Sequence, residues 1–416
     1  MVSLENSPTV SKKQKRQFWV ILVIVFLGFI GISMPYLIFP VLFLNPDYSI
    51  IHPSWDYSYK AIFLGITLAA YPLGQFIGSP ILGSLSDDYG RKNILAGSLI
   101  ISALFNLITG LAITFEMIGL LIFSRFMVGL MEGNIAIARA LATDLTTISK
   151  HEAFGKINAM SSIAFLLGPL IGGLMTDQSV VEGLTASTPF YCICVLFLGL
   201  AVLSGLVLDH SNITAKEIRS FWQRINLFKR LSQLFANKYL QFLMITSTCF
   251  TLAVDILYEF GPVYLTVKWD LTPSELVIYN GVLCLTLAAG NGWLPQYLSD
   301  KVSNRTAIIY SMGAFALCLM GIVWTDSSFL MTLFFAISGL FIGLAITLIT
   351  VKISNSVSDS IQGEVMGVQV SLRVLGDAVI CLLGGVLLLL SPKIILVAAA
   401  GMSIFAMGYY IFRRAH

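Results

Sequence analysis

The chain alternates between long apolar runs and short polar connections. Twelve runs reach about 20 residues or more, the length that a helix needs to cross the hydrocarbon core of a bilayer. We place them at residues 18–44, 60–83, 94–114, 117–143, 153–176, 189–208, 239–267, 274–298, 306–325, 328–351, 364–390 and 392–412. Apolar residues are continuous within each run, which excludes the alternating pattern of a transmembrane β-barrel. The pattern therefore predicts an all-α, polytopic membrane protein with 12 transmembrane helices.

The composition agrees with this prediction. The chain has 416 residues, of which 57% are hydrophobic and only 11% charged, whereas a soluble globular protein carries about 25% charged residues. All six cysteines lie within apolar runs and lack the spacing of metal ligands, so we expect neither disulfides nor a metal site. The first run is too long for a signal peptide, and no small-residue cleavage site follows it. We therefore expect it to remain as a spanning helix.

Patterns of enzyme chemistry are missing from the sequence. It contains no Ser/His/Asp set, no metal-ligand cluster and no phosphate-binding loop, and its four histidines are not paired. We therefore expect neither an enzyme nor a cofactor, and no nucleic-acid partner. Without a nucleotide site, any energy for transport must come from an ion gradient.

Basic residues are distributed unequally between the two sides of the predicted helices. Nineteen of the 25 lysines and arginines lie in the termini and in the connections on their side, and three lie on the opposite side. The other three are Arg125, Arg139 and Arg373, which lie inside apolar runs. Cytoplasmic loops carry the excess of basic residues. We therefore expect both termini in the cytoplasm and the protein in the inner (plasma) membrane.

A single long polar connection, residues 209–238, lies near the middle of the chain. Apolar residues recur in it at three- and four-residue spacing, with arginines between them. This predicts an amphipathic helix that lies on the inner leaflet or packs on the cytoplasmic ends of the bundle. We accordingly predict two six-helix bundles, at residues 1–208 and 239–416, joined by this linker.

Short patterns that recur in the second half support the division. Asp300 repeats Asp87, Glu364–Gly367 repeats Glu152–Gly155, and Gly384–Gly385 repeats Gly172–Gly173. The three repeats occur at nearly the same separation along the chain, which indicates a parallel internal duplication. Such repeats are typical of transporters that hold their substrate between two halves, near the midplane of the membrane.

A charged segment separates the second and third runs. It reads Gly83-Ser-Leu-Ser-Asp87-Asp88-Tyr-Gly90-Arg91-Lys92. Charges at this density cannot lie in hydrocarbon, so the segment lies at a membrane surface. Gly90 permits a turn with positive φ. Asp87 and Asp88 can accept hydrogen bonds from Arg91, from Lys92 or from a nearby helix N-terminus.

This order of Gly, Leu, Asp, Gly, Arg and Lys resembles the signature of cytoplasmic loop 2–3 in the major facilitator superfamily. A degraded copy runs through Asp300 to Arg305, with Ser303 at the position that corresponds to Gly90. The resemblance implies the two-bundle facilitator fold, transport by alternating access, and a gating role for these charged residues, Asp87 above all.

The fifth run contains Gly168-Pro169 followed by Gly172-Gly173. Ala164, Gly168 and Gly172 share one helix face, where small side chains allow another helix to approach closely, and Pro169 bends the helix. The segment resembles the G-P-x-x-G-G antiporter motif of drug:proton exporters in the superfamily. The alternative is an ordinary packing seam.

The fourth run carries Arg125 and Gly129, which match the R-x-x-x-G motif of the same superfamily. Glu132 and Arg139 follow Arg125 at successive intervals of seven residues, nearly on one face. Charges inside a membrane face a cavity or a partner. Arg125 can tie backbone carbonyls together or take part in proton transfer, and both roles stay open. We expect Arg139, nearer the cytoplasmic end, to extend to the surface.

The first run resembles helix 1 of the drug exporters in its prolines, but it has no carboxylate where tetracycline-type exporters carry an aspartate. Asp255 and Glu259 in the seventh run are the candidate replacement. They lie one turn apart on one face, and two such carboxylates cannot both ionise cheaply in a poorly solvated cavity. Arg373 and Asp377 in the eleventh run are also one turn apart. They indicate an internal ion pair or a contact with substrate.

We therefore predict a monomeric secondary transporter, most simply a proton-coupled exporter of a small organic compound. Its expected partners are that compound, protons and the lipid bilayer. A proton symporter that imports a metabolite or a metal chelate would share the fold. A membrane receptor or scaffold is the third alternative, but it would have no need of buried carboxylates.

Overall fold

The computed structural model describes residues 8–145, 150–180, 182–209, 237–298, 301–357 and 359–412. The helices in these ranges are α1 (Pro8–Ser33), α2 (Pro35–Leu44), α3 (Tyr57–Tyr89), α4 (Arg91–Thr114), α5 (Ile118–Leu130), α6 (Gly133–Asp144), α7 (Lys150–Thr176), α8 (Thr188–Val207), α9 (Lys238–Trp269), α10 (Pro273–Leu298), α11 (Asn304–Trp324), α12 (Ser328–Asn355), α13 (Asp359–Leu387) and α14 (Pro392–Phe412). No strand occurs in the described part of the chain.

Twelve helical spans in these ranges are long and apolar enough to cross a membrane, which confirms the predicted class and number. The predicted amphipathic linker lies outside the described residues except at its ends, and so does Asp300. Two compact units can be distinguished. The first comprises Met1–Pro35 and Ala70–Ile225, and the second comprises Tyr36–Ala69 and Asn226–His416.

Two spans differ from the continuous helices that the apolar runs predict. The first span is divided at Met34, because the residue before a proline is disfavoured in the helical conformation and Pro35 follows. The fourth span is divided at Met131 and Glu132. There the Glu132 amide donates to the Gly129 carbonyl three residues back, at 2.9 Å. The flanking Gly129 and Gly133 favour such a break, because glycine is a poor helix former.

The charged segment at residues 83–92 is more helical than predicted. Helix α3 continues to Tyr89 and α4 begins at Arg91, so Gly90 alone separates them. Gly90 has φ = 93°, the positive value predicted for it. In the second copy the corresponding Ser303 caps α11 instead, its hydroxyl accepting a hydrogen bond from the Thr306 amide at 3.2 Å.

Glycines bring helix backbones into direct contact within each unit. In the first unit, a Cβ atom on Gly74 or Gly78 of α3 would lie 2.1 Å or 1.8 Å from a carbonyl oxygen of α5. In the second unit, a Cβ atom on Gly290 of α10 would lie 2.2 Å from the Leu340 carbonyl oxygen of α12. Another contact in the second unit joins α3 to α13, where a Cβ atom on Gly65 would lie 2.6 Å from the Cα of Gly385. Small residues thus set the helix spacing.

Candidate functional site

The first unit contains a buried polar group at the break in the fourth span. The Tyr71 hydroxyl of α3 donates a hydrogen bond to Oε2 of Glu132. The Arg125 guanidinium of α5 lies over the Tyr71 ring, 4.9 Å from its centroid. Arg125 is 2% exposed and Glu132 is 7% exposed. The predicted pair of Arg125 and Glu132 is therefore brought together around a tyrosine that the sequence pattern did not single out.

Arg139 belongs to the same group. Its guanidinium carbon lies 5.6 Å from the centroid of the Phe29 ring of α1, and its Nε is buried without a hydrogen-bond partner among the described residues. That Arg139 extends to the cytoplasmic surface stays a prediction, and the structure shows that its guanidinium lies against α1. Phe29 in turn packs against the buried cluster of Ile32, Tyr71, Val128 and Ile135.

The second unit contains a buried group of acids around one arginine. Arg373 of α13 donates to Asp255 of α9 through Nε at 2.9 Å and through Nη2 at 2.6 Å. The Asp255 side chain is 6% exposed, whereas that of Arg373 is 49% exposed. The sequence spacing suggested a pair of Arg373 with Asp377, and the structure gives the bidentate contact to Asp255 instead. A two-point guanidinium–carboxylate contact fixes the orientation of both groups.

Glu259 of α9 lies close to Asp377 of α13. Their carboxylates and the Cys381 thiol place ligand atoms within 4.8 Å of one another, close enough to surround one metal ion. Tyr36 of α2 is within electrostatic range of both acids. Neither Tyr36 nor Cys381 could be found from the sequence, because each lies in an apolar run and resembles an ordinary core residue there.

The charged segment around Gly90 contacts the fourth span through the first residue of α4. Arg91 pairs with Asp87 at 3.2 Å and donates from Nη1 to the Ala140 carbonyl of α6 at 3.1 Å. Lys92 is partly buried in α4, as is Asp88 in α3. In the second unit, Arg305 donates to the Ile411 carbonyl at 3.1 Å. Both arginines therefore connect the start of one helix to the backbone at the end of another.

The glycines predicted for the antiporter motif lie in α7. A Cβ atom on Gly168 would lie 2.0 Å from the Ser33 hydroxyl of α1, and this hydroxyl donates to the Ala164 carbonyl at 3.3 Å. The predicted close approach on this face is therefore present, and α1 is the helix that approaches. Pro169 lies inside α7. The carbonyls of Gly172 and Gly173 accept hydrogen bonds from Thr176 and Asp177.

Twelve membrane-length helices in the described ranges, with charged side chains packed among them, are the architecture of a multi-pass membrane transporter. The sequence model described as "Major Facilitator Superfamily" matches residues 21–381, so the chain belongs to this superfamily. Membership identifies a transporter of small molecules rather than an enzyme.

Relatives of known function include several resistance proteins. The chain is 27% identical over 311 residues to "Tetracycline resistance protein, class H" of Pasteurella multocida, covering 73% of this chain and 74% of that protein. It is 31% identical over 202 residues to "Multidrug resistance protein 2" of Bacillus subtilis (strain 168), covering 48% of this chain. It is 30% identical over 197 residues to "Quinolone resistance protein NorA" of Staphylococcus aureus, covering 47% of this chain. The last two matches span 45% of those proteins.

Solved structures with the same fold include transporters named for different substrates. A D-xylose-proton symporter aligns with a TM-score of 0.68 at 15% identity, covering 97% of both chains. The human organic anion transporter MFSD10 aligns with a TM-score of 0.66 at 16% identity, covering 95% of this chain and 99% of that one. At these identities the similarity concerns the fold alone.

Proposed function

We propose that this chain exports a small organic compound in exchange for protons, working by alternating access as a monomer in the inner membrane with both termini in the cytoplasm. The resistance proteins among its relatives support the direction of transport. The close packing of Gly168 against α1, in a segment that resembles the antiporter motif, supports it as well.

The observation that carries proton coupling is the closeness of Glu259 and Asp377. Arg373 gives its bidentate contact to Asp255, whereas the other two carboxylates lie close to each other. Two unit negative charges within 4.8 Å of each other repel by at least about 3.5 kcal/mol for an effective dielectric constant of about 20. One proton held between them removes this repulsion. We therefore assign the coupling proton to Glu259 and Asp377, and we assign Asp255 to the fixed ion pair.

The test uses purified protein in liposomes with an imposed pH gradient and a pH-sensitive dye. Tetracycline and a quinolone are the first compounds to try, because related proteins are named for resistance to them. We expect a transported compound to move against the protons in the wild type. Glu259→Gln should abolish this proton movement but retain exchange of labelled compound without a gradient. Glu182→Gln, an exposed acid between α7 and α8, is the control for the same chemical change.

Asp255→Asn separates the two assignments within the second unit. If Asp255 carried the proton, as the sequence alone suggests, this variant would lose uphill transport while Glu259→Gln only shifted the pH optimum. Our assignment requires the opposite ranking. Movement of the compound and protons in the same direction would reject the proposed exporter and support a proton symporter.

A further inference from the structure

The polar group at the break in the fourth span contains more arginines than carboxylates among the described residues. The group contains two arginines, Arg125 and Arg139, and one carboxylate, Glu132. Within the described ranges, the charged side chains that act on Glu132 are these two arginines. The charged group among the described residues that acts on Arg139 is Glu132. With all three ionised, these residues carry one excess positive charge. In the buried group of the second unit, by contrast, three acids surround the single guanidinium of Arg373.

Arg139 has a guanidinium that can donate further hydrogen bonds. Its guanidinium stacks on the Phe29 ring, and its Nε lacks a hydrogen-bond partner among the described residues. A planar guanidinium supported by an aromatic ring suits two-point binding of a carboxylate or another acidic group. Glu132 does not fill this role, because its Oε2 accepts the hydrogen bond from Tyr71 and its Oε1 has no hydrogen-bond partner among the described residues.

The surroundings of Arg139 add two features that suit a ligand. Phe29, which supports the guanidinium, contacts Phe165 with ring centroids 5.3 Å apart, so apolar aromatic surface adjoins the charge. Helix α6 begins at Gly133 beside Glu132, and the N-terminal end of a helix within the membrane favours an anion. A charge inside a membrane is costly, so a negative group that arrives beside Arg139 would reduce that cost.

We propose that the transported compound carries an acidic group next to an apolar body, and that Arg139, together with Arg125, binds this group in the first unit. The inference rests on the proposed function only in taking the compound to be a small organic molecule. It assigns substrate recognition to the basic group of the first unit and leaves proton handling to the acids of the second.

The experiment measures binding to the purified full-length protein in detergent by isothermal titration, without any gradient. The probes share one apolar body and differ in charge: 1-naphthoate, 1-naphthamide and 1-naphthylmethylammonium. We expect wild-type protein to bind 1-naphthoate more tightly than the other two. Arg139→Gln should weaken 1-naphthoate binding about tenfold or more, which is the effect of losing a charged hydrogen bond. Arg139→Lys retains the charge but not the planar geometry, so its affinity for 1-naphthoate should lie between those of the wild type and Arg139→Gln.

The decisive comparison is with Glu132→Gln, which removes a negative charge from the same group. It should tighten 1-naphthoate binding while Arg139→Gln weakens it. A residue with only a structural role would not give effects of opposite sign. Arg16→Gln, at an exposed position of α1, is the matched control and should leave binding unchanged.

Four results would overturn the proposal: 1-naphthoate binding no tighter than 1-naphthamide, strongest binding of the ammonium probe, changes of the same sign in the Arg139 and Glu132 variants, or no binding of any probe to the wild type. Because no pH gradient is present, these results are independent of coupling. Failure of the proton assay would leave the binding order intact, and failure of the binding order would leave proton exchange intact.

Discussion

Gly78→Ala places a methyl group where the backbone of α5 already lies. The new Cβ would be 1.8 Å from the Leu130 carbonyl oxygen and 2.5 Å from its carbonyl carbon. Real Cβ contacts are essentially never closer than 3.0 Å, so the two backbones must separate locally. A backbone carbonyl cannot rotate out of the way as a side chain can. We therefore expect a cost in the upper part of the usual range for overpacking, about 1–3 kcal/mol.

Alanine also favours a helix over glycine by up to about 1 kcal/mol, which opposes the clash and must be measured separately. Gly97→Ala in α4 provides that reference, because a Cβ atom there would meet nothing within 4 Å. The measurement is the temperature at which half of the detergent-solubilised protein loses its monodisperse elution peak. We expect a lower temperature for Gly78→Ala than for the wild type, and an equal or higher one for Gly97→Ala.

The same substitution should also affect the buried polar group. Tyr71 and Gly78 lie on one helix, so moving α3 away from α5 would lengthen the hydrogen bond from Tyr71 to Glu132. A variant with this bond weakened should show altered binding of 1-naphthoate at temperatures where it is still folded. Equal thermal stability of Gly78→Ala and Gly97→Ala would refute the close contact of α3 with α5 and the reasoning built on it.

Two further substitutions test the motifs recognised in the sequence. Asp87→Asn removes the ion pair with Arg91, which is exposed on the Asp87 side and therefore contributes at most about 1 kcal/mol to stability. We expect the variant to fold normally, to transport more slowly and to show greater cysteine labelling from the cytoplasmic side. Unchanged turnover and labelling would reject the gating role. Gly168→Leu forces a large side chain against the Ser33 hydroxyl, which a Cβ atom alone would approach to 2.0 Å. We expect the variant to remain in the membrane but to lose transport. Transport at the normal rate would show that α7 and α1 can separate at this face without loss of function.

Helix positions could be predicted from the sequence because bilayer thickness fixes the length of each apolar run. The kinds of residue that make the buried groups could also be predicted, since any charge inside a span requires a partner. The partner that each charged residue binds could not be predicted. Arg373 is one turn from Asp377 in its own helix, yet it binds Asp255 of another helix, and no local spacing encodes a contact between residues so far apart in the chain.

Aromatic partners and close-packing glycines were missed for a related reason. Tyr71 and Phe29 are apolar-run residues in a chain with 15 tyrosines and 28 phenylalanines, so composition gives no reason to select them. The break at Glu132 was missed because the run remains apolar through it. Only the pairing of helices shows which of the 34 glycines lie at a contact.

The glycine contacts suggest how the two halves of the chain could diverge after duplication. Gly290 stands where the internal repeat places the counterpart of Gly78, and each of these two glycines meets a neighbouring helix backbone in its own unit. The charged residues are not retained in both halves, since the counterparts of Glu132 and Arg139 are a leucine and a valine. The positions that set helix spacing are thus separate from those that carry charge. Mutations could therefore make one half basic and the other acidic without altering the scaffold that both inherited.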